Sequence, residues 1–134
     1  MAPPLVSIAM PILDTERFLP AALDSLLAQT CGDWEALLWD DGSSDGSARI
    51  AADYAACDPR FRLLGDGRNH GQAAALAKTL AQARGAYFGT LDSDDVLEPQ
   101  ALAALLAFLQ ARPALGMGSS RYLEVDEAGA VLGP

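Results

Sequence analysis

Aspartates collect in short clusters along this 134-residue chain, and their spacing is its clearest chemical signal. Asp92-Ser93-Asp94-Asp95 follows an apolar run that ends at Leu91, so two carboxylates stand two residues apart with a small residue between them. At the end of a strand both can point into one site. Hard oxygen ligands suit Mg²⁺ or Mn²⁺, and Mg²⁺ is typically held by one or two carboxylates, with substrate phosphate and water filling the other positions. Such a cation would neutralise a diphosphate that the acidic chain would otherwise repel, and as a Lewis acid it would stabilise that diphosphate as a leaving group. The same residues have a plainer explanation, in which Asp94 or Asp95 caps the helix that follows, whose first turn holds Glu98. A DxD alone leaves both readings standing.

Two further loops carry the same kind of residue. Asp14 follows the first apolar run, and Asp40-Asp41-Gly42-Ser43-Ser44-Asp45-Gly46 follows the second. Gly for positive φ, with Ser and Asp for local backbone bonds, explains most of the second run as a strand-to-helix turn. Two adjacent carboxylates exceed what a turn requires, and Asp41 there could accept a hydrogen bond from a nucleobase N–H. Asn69-His70-Gly71-Gln72 opens another helix, whose N–H groups can receive a phosphate or can simply be capped by Asn69. His70, the sole histidine, reads as a solvated loop residue, and Trp34 and Trp39 read as packing residues beside strands.

The elements that must position these loops follow from hydrophobic pattern. Residues 5–10 form a short apolar, partly β-branched run stopped by Pro11, which predicts a buried strand. Leu19, Leu23, Leu26 and Leu27 recur at helical spacing, with Asp14 or Thr15 available as a cap and Pro20 tolerable in the first turn. Strands are predicted at 35–39, 61–64 and 87–91, and a helix at 48–56. Leu76, Leu80 and Ala83 give the next helix an apolar stripe, closed by Gly85 at its C-terminal end. Leu102, Leu105, Leu106 and Leu109 mark the last helix, with Pro99 near its start and Pro113 beyond its end. Four strands alternating with four helices require crossover connections, hence an α/β fold with a mostly parallel sheet covered by helices on both faces. The tail predicts a hairpin, with strands at 120–125 and 130–132 flanking Asp126-Glu127-Ala128-Gly129. In an open α/β sheet ligands bind beyond the carboxyl ends of the strands, which is where every one of these aspartate loops lies.

Composition narrows the functions. The length fits one domain, residues 1–134. With 18 Asp+Glu against 9 Lys+Arg, a net charge of −9 and no basic cluster, nothing supports binding to a nucleic-acid backbone or an acidic lipid surface. Its apolar runs are far shorter than the roughly 20 residues that span a bilayer. No charged segment of the signal-peptide kind precedes Leu5. Two isolated cysteines, Cys31 and Cys57, with one histidine argue against a disulfide framework or a zinc site, and a reduced cytoplasmic setting is the expectation.

Together the motifs resemble the family 2 glycosyltransferases, nucleotide-sugar-dependent inverting enzymes of the GT-A fold, a Rossmann-like arrangement. The resemblance rests on Val6-Ser7-Ile8-Ala9-Met10-Pro11, on Phe18-Leu19 through Ser25-Leu26-Leu27-Ala28-Gln29-Thr30, and on Trp39-Asp40-Asp41-Gly42-Ser43-Ser44-Asp45-Gly46. It continues through Asn69-His70-Gly71, Ala83-Arg84-Gly85-Ala86-Tyr87 and Leu91-Asp92-Ser93-Asp94-Asp95. It implies that the acidic triplet holds Mg²⁺ or Mn²⁺ through Asp94, with Asp92 and Asp95 as further ligands. It also implies a pocket for a nucleotide-diphosphate sugar, taken here as a UDP-sugar. By position Pro11 and Asp14 would line the base pocket, Asp41 would meet the base, and Asp92 with Ser93 would lie near the ribose or sugar. Gly71 and Lys78 would serve the phosphates. Two positions depart from the family pattern: Leu13-Asp14 stands where an aromatic residue and Asn are usual, and Leu76-Ala77 stands where Arg-Asn is common.

The expected activity is the donor half of a metal-dependent inverting transfer to a saccharide or lipid-linked acceptor hydroxyl. An inverting transfer needs a general base within hydrogen-bond reach of that hydroxyl, and the family's base lies well downstream of the DxD. The chain is therefore expected to be the N-terminal part of a longer transferase, with its base outside, acting in the cytoplasm or at the inner face of the membrane. The alternative is a non-catalytic nucleotide-sugar-binding module. A phosphoryl-accepting receiver, the other common use of acidic strand ends, would need a Lys after the last strand, and none follows Lys78.

Overall fold

A computed structural model describes residues 2–118 and 123–133. Its elements run β1 (Val6–Ile12), α1 (Leu19–Leu27), β2 (Trp34–Asp40), α2 (Ser47–Cys57), β3 (Phe61–Leu64), α3 (Gln72–Gln82), β4 (Tyr87–Thr90), α4 (Ala101–Gln110), β5 (Glu124–Val125) and β6 (Val131–Gly133). The first four strands form one parallel sheet in the order β3-β2-β1-β4. The predicted α/β class is what forms.

The strand order explains the helix layers. From β1 to β2 to β3 the chain moves in one direction across the sheet, and from β3 to β4 it jumps back past β1. Right-handed crossovers therefore place α1 and α2 on one face and α3 on the other. Burial agrees with this. Val6, Ile8, Met10 and Ile12 of β1 and Trp34, Ala36 and Leu38 of β2 share a cluster with Leu19, Leu23 and Leu26 of α1, Ala51 of α2, and Leu102 and Leu106 of α4. The alternate residues Ser7, Ala9, Glu35 and Leu37 are buried on the opposite face, where α3 contributes Ala75 and Thr79.

Several expectations need correction. Pro11 does not stop β1, because the ladder continues through Pro11 opposite Trp39 to Ile12 opposite Asp40. The Leu5 and Ala9 carbonyls accept from Tyr87 and Leu91 N–H on the β4 side and the Ile12 carbonyl accepts from Asp41 N–H on the β2 side, so Pro11 faces β4, where pairing has already finished at Ala9 and the missing proline N–H breaks no bond. The apolar stripe of α3 is also not its buried face. Leu80 is 55% exposed, while Ala75 and Thr79 are fully buried, because small side chains let the helix approach a sheet face that carries a polar cluster. Gly85 does not cap α3, which ends at Gln82 with Ala83 extended. A Cβ at Gly85 would lie 2.7 Å from Ser7 N, so close approach to β1 is what requires glycine.

That polar cluster is built on Glu35. Its carboxylate accepts from Ser7 Oγ at 2.7 Å, from Arg84 N–H at 2.8 Å and from the Arg84 and Arg62 guanidiniums at 2.9 and 3.0 Å. Burial alone would raise the Glu35 carboxyl, but these donors outweigh it and hold it below its ordinary value. It ties β1, β2 and β3 to the segment that leads into β4.

Of the predicted hairpin, β5 and β6 pair antiparallel around a turn in which Asp126 Oδ1 accepts from Ala128 and Ala130 N–H. Residues 120–122 of its first strand lie outside the described residues. Among the described residues no helix is long and apolar enough to cross a membrane.

Candidate functional site

The sheet changes direction between β1 and β4, so the crevice at the carboxyl ends of these strands is the expected ligand site. A cavity of about 300 Å³ lies there. Pro11, Ile12, Leu13 and Thr15 line it from the end of β1, Asp41 from the end of β2, and Asp92, Ser93 and Asp94 from beyond β4. Asn69, Gly71 and Gln72 complete it from the start of α3.

Asp92, Asp94 and Asp95 each offer a carboxylate oxygen, and these oxygens lie within 4.8 Å of one another. All three residues are exposed. Partial burial, followed by the charges of Asp94 and Asp92, pushes the Asp95 carboxyl above its ordinary value. None of the ion pairs among the described residues involves these three. A group of converging hard oxygens that repel one another fits a divalent cation. The capping alternative fails: α4 starts at Ala101 and its N-cap is Gln100, well past Asp94 and Asp95.

What holds this loop is the end of α1 and the residues just after it. Ser25 Oγ accepts from Leu97 N–H at 3.1 Å, Gln29 Nε2 donates to the Glu98 carbonyl at 2.8 Å, and Gln29 Oε1 accepts from Leu102 N–H at 3.1 Å. Thr30 N–H donates to the Pro99 carbonyl at 2.9 Å. Residues 25–30 thus fasten the segment that runs from the acidic triplet to α4.

Asp41 is buried and its oxygens already have partners. Oδ1 accepts from His70 N–H at 2.8 Å and from Trp39 Nε1 at 3.4 Å, and Oδ2 accepts from Gly71 N–H at 3.0 Å. A carboxylate at the N-terminus of α3 is also favoured by the helix dipole. Gly71, with φ of 86°, makes the turn into α3 that brings those amides round. Asn69 does not serve as the N-cap, although its Oδ1 accepts from Gly71 N–H at 3.0 Å. His70 is not simply solvated, because its Nε2 pairs with Asp66 at 2.8 Å and its ring packs edge-on against Trp39.

Two residues assigned to the site from sequence stand beside it. Asp14 has a positive φ of 51° and does not line the crevice. Its Oδ1 accepts from Ser44 N–H at 2.7 Å and from Asp45 N–H at 3.2 Å. In return Asp14 N–H donates to Ser43 Oγ, Thr15 N–H to Ser47 Oγ and Glu16 N–H to Asp45 Oδ2, while Glu16 Oε2 accepts from Gly46 N–H. The loop after β1 and the loop after β2 are laced together in both directions. Lys78 also misses the lining, its ammonium resting 5.8 Å from the centre of the Trp39 ring. Pro11, Asp41, Gly71, Asp92, Ser93 and Asp94 are brought together. Thr15, named from sequence only as a cap, lines the crevice and donates from Oγ1 to Ser93 Oγ at 2.9 Å. Their separation of 78 residues leaves no local signal for that bond.

Comparison with known proteins agrees with this architecture. A family model described as Glycosyl transferase family 2 matches residues 7–130. EpsE of Bacillus subtilis (strain 168) is 37% identical over 127 residues, which is 94% of this chain and 46% of EpsE. The fold is shared with S. aureus TarS 1–349 in complex with UDP-GlcNAc, at a TM-score of 0.75 and 22% identity, over 92% of this chain and 38% of that one. It is shared too with the mannosyltransferase PcManGT from Pyrobaculum calidifontis in complex with GDP-Man and Mn²⁺, at a TM-score of 0.73 and 23% identity, over 81% and 33%. The chain spans less than half the length of each of these proteins.

Proposed function

The chain belongs to glycosyl transferase family 2, and from that premise we propose that it forms the donor-binding part of an enzyme that moves a sugar from a nucleotide diphosphate to an acceptor hydroxyl with inversion. The observation that carries this reading is the convergence of Asp41, Gly71, Asp92, Ser93 and Asp94 on one crevice at the switch point of the sheet. The ligands in complex with TarS and PcManGT, UDP-GlcNAc and GDP-Man with Mn²⁺, are of the class the crevice suits.

Asp94, Asp92 and Asp95 would hold Mn²⁺ or Mg²⁺ through carboxylate oxygens. That ion, when bound, supplies charge neutralisation and Lewis acidity for a departing nucleoside diphosphate. The protein's own part is orientation. Pro11 and Leu13 form the apolar wall against which a uracil would rest, and Asp41 presents the start of α3 to the diphosphate while remaining within reach of the base. Asp14 shapes that wall from behind by holding the adjacent loop. Lys78 would have to leave Trp39 to meet a phosphate. The general base for the acceptor, a saccharide or a lipid-linked hydroxyl, lies in a part of the protein outside this chain. The two free cysteines favour a reducing cytoplasmic location.

Titration with UDP-, GDP- and dTDP-linked sugars, with and without Mn²⁺, tests the reading. Metal-dependent binding of a UDP-sugar is expected, and Asp94→Asn should abolish the metal dependence. Absence of nucleotide binding in the presence of Mn²⁺ would overturn the donor assignment.

A further inference from the structure

Thr15 occupies a junction that the donor reading does not use. Its N–H is bound by Ser47 Oγ at 2.9 Å, at the first residue of α2. Ser47 is fully buried and its own N–H is held by Asp45 Oδ1 at 2.9 Å. The Thr15 hydroxyl then donates across the crevice to Ser93 Oγ at 2.9 Å, the small residue between the two aspartates. Ser93 is buried although both its neighbours are exposed. One hydroxyl thus connects the laced loops after β1 and β2 to the middle of the acidic triplet, between carboxylates that repel one another.

We propose that Thr15 is a positioning residue for the divalent-cation site: its hydroxyl fixes Ser93 and thereby the spacing and aim of the Asp92 and Asp94 carboxylates. The proposal rests on the cation reading of Asp92, Asp94 and Asp95. Without the Thr15 bond, three like charges on one loop relax away from each other, and the site must be drawn together again when the cation binds. Groups that orient metal ligands typically change affinity about 10–100-fold when removed. The hydrogen bond also leaves the Ser93 O–H proton available to a ligand oxygen in the crevice, so nucleotide contacts and cation geometry share one anchor.

The test is a Mn²⁺ titration of the chain at fixed UDP, read from the electron paramagnetic resonance signal of free Mn²⁺, beside a thermal melt of each protein. Thr15→Val, which keeps shape and removes the hydroxyl, should weaken Mn²⁺ about 10-fold or more with a melting temperature near that of the wild type. Thr15→Ser should restore affinity, a rescue that a purely packing role would not produce. Thr15→Val binding Mn²⁺ like the wild type, while Asp94→Asn loses it, overturns the role of Thr15 and leaves the cation reading intact. Wild-type Mn²⁺ binding by Asp94→Asn overturns the cation reading itself. Should Thr15→Val fail to fold, Ser93→Ala removes the same bond from the other side. It must show the same loss, and unchanged Mn²⁺ affinity in that variant counts against the proposal.

Discussion

Replacing Asp41 by Asn separates a structural duty from a binding one, and the structure allows its size to be worked out. The two carboxylate oxygens of Asp41 receive different backbone donors, His70 N–H on Oδ1 and Gly71 N–H on Oδ2, at 2.8 and 3.0 Å. An amide has one acceptor oxygen, so Asn satisfies one donor and sets its own NH₂ against the other. The loss of one charge-assisted hydrogen bond is about 1.5–3 kcal/mol, and a buried donor left without a partner costs about 1–3 kcal/mol more. A destabilisation of about 3 kcal/mol follows from the lower part of that range, since Gly71 N–H retains Asn69 Oδ1 as a second acceptor at 3.0 Å. With an unfolding entropy near 2.1 cal/mol/K per residue, a chain of this size should lose roughly 10 °C in melting temperature. The assay is a thermal melt paired with hydrogen exchange at residues 70 and 71, whose amides should lose protection before the rest of the sheet. An Asp41→Asn variant melting within about 2 °C of the wild type, with both amides still protected, would refute the claim that this carboxylate anchors the start of α3.

Further outcomes can be checked with equally simple measurements. Glu35 has a folded-state pKa below its ordinary value, so its contribution is present above about pH 4.5 and disappears as pH falls through the lower, folded value; Glu35→Gln should cost about 3 kcal/mol at pH 7 and flatten the acid limb of a stability-against-pH curve. Gly85→Ala should destabilise by about 2 kcal/mol or more, because the new Cβ meets Ser7 N at 2.7 Å, and urea denaturation reads it directly. At Asp14, whose φ is 51°, melting temperature should fall in the order Asp, Asn, Ala, since Asn keeps both the tolerance for that backbone and an acceptor for Ser44 N–H while Ala has neither; Asp14→Asn should also keep UDP affinity if the carboxylate only holds the neighbouring loop.

The sheet was legible in the sequence because a buried parallel strand needs a short apolar run, and four of them alternate with helical spacing. The order β3-β2-β1-β4 was not, since neither residues 61–64 nor residues 87–90 state which strand they pair with. The buried face of α3 was not legible either, for a related reason. Leu76 and Leu80 are the larger apolar residues, but the sheet face beneath α3 contains Ser7 and Glu35, whose charge is satisfied by Arg62 and Arg84 from distant segments. A pattern that counts apolar residues cannot anticipate a helix packed through Ala75 and Thr79 against a sheet face that buries a glutamate.

The acidic residues of the candidate site show a similar division, and it bears on how such sites can be read. Aspartate occurs in each of the loops, and residue type alone assigns the same potential chemistry to all of them. Hydrogen-bond donors divide them into two groups. Asp14, Asp41 and Asp45 are taken up by backbone N–H groups from loops 29 to 31 residues away or from the start of α2. Asp92, Asp94 and Asp95 face one another, and neighbouring charge, added to burial, lifts Asp95. Backbone amides already occupy oxygens of the first group, which can shape a pocket without needing an ion. The carboxylate oxygens of the second group converge on one another instead, the arrangement that a divalent cation takes. Thr15 joins the two groups by carrying the rigidity of the amide-bound loops to Ser93. A carboxylate's function at a sheet edge is thus decided by how many amides reach it, a property of chain crossings that sequence spacing does not encode.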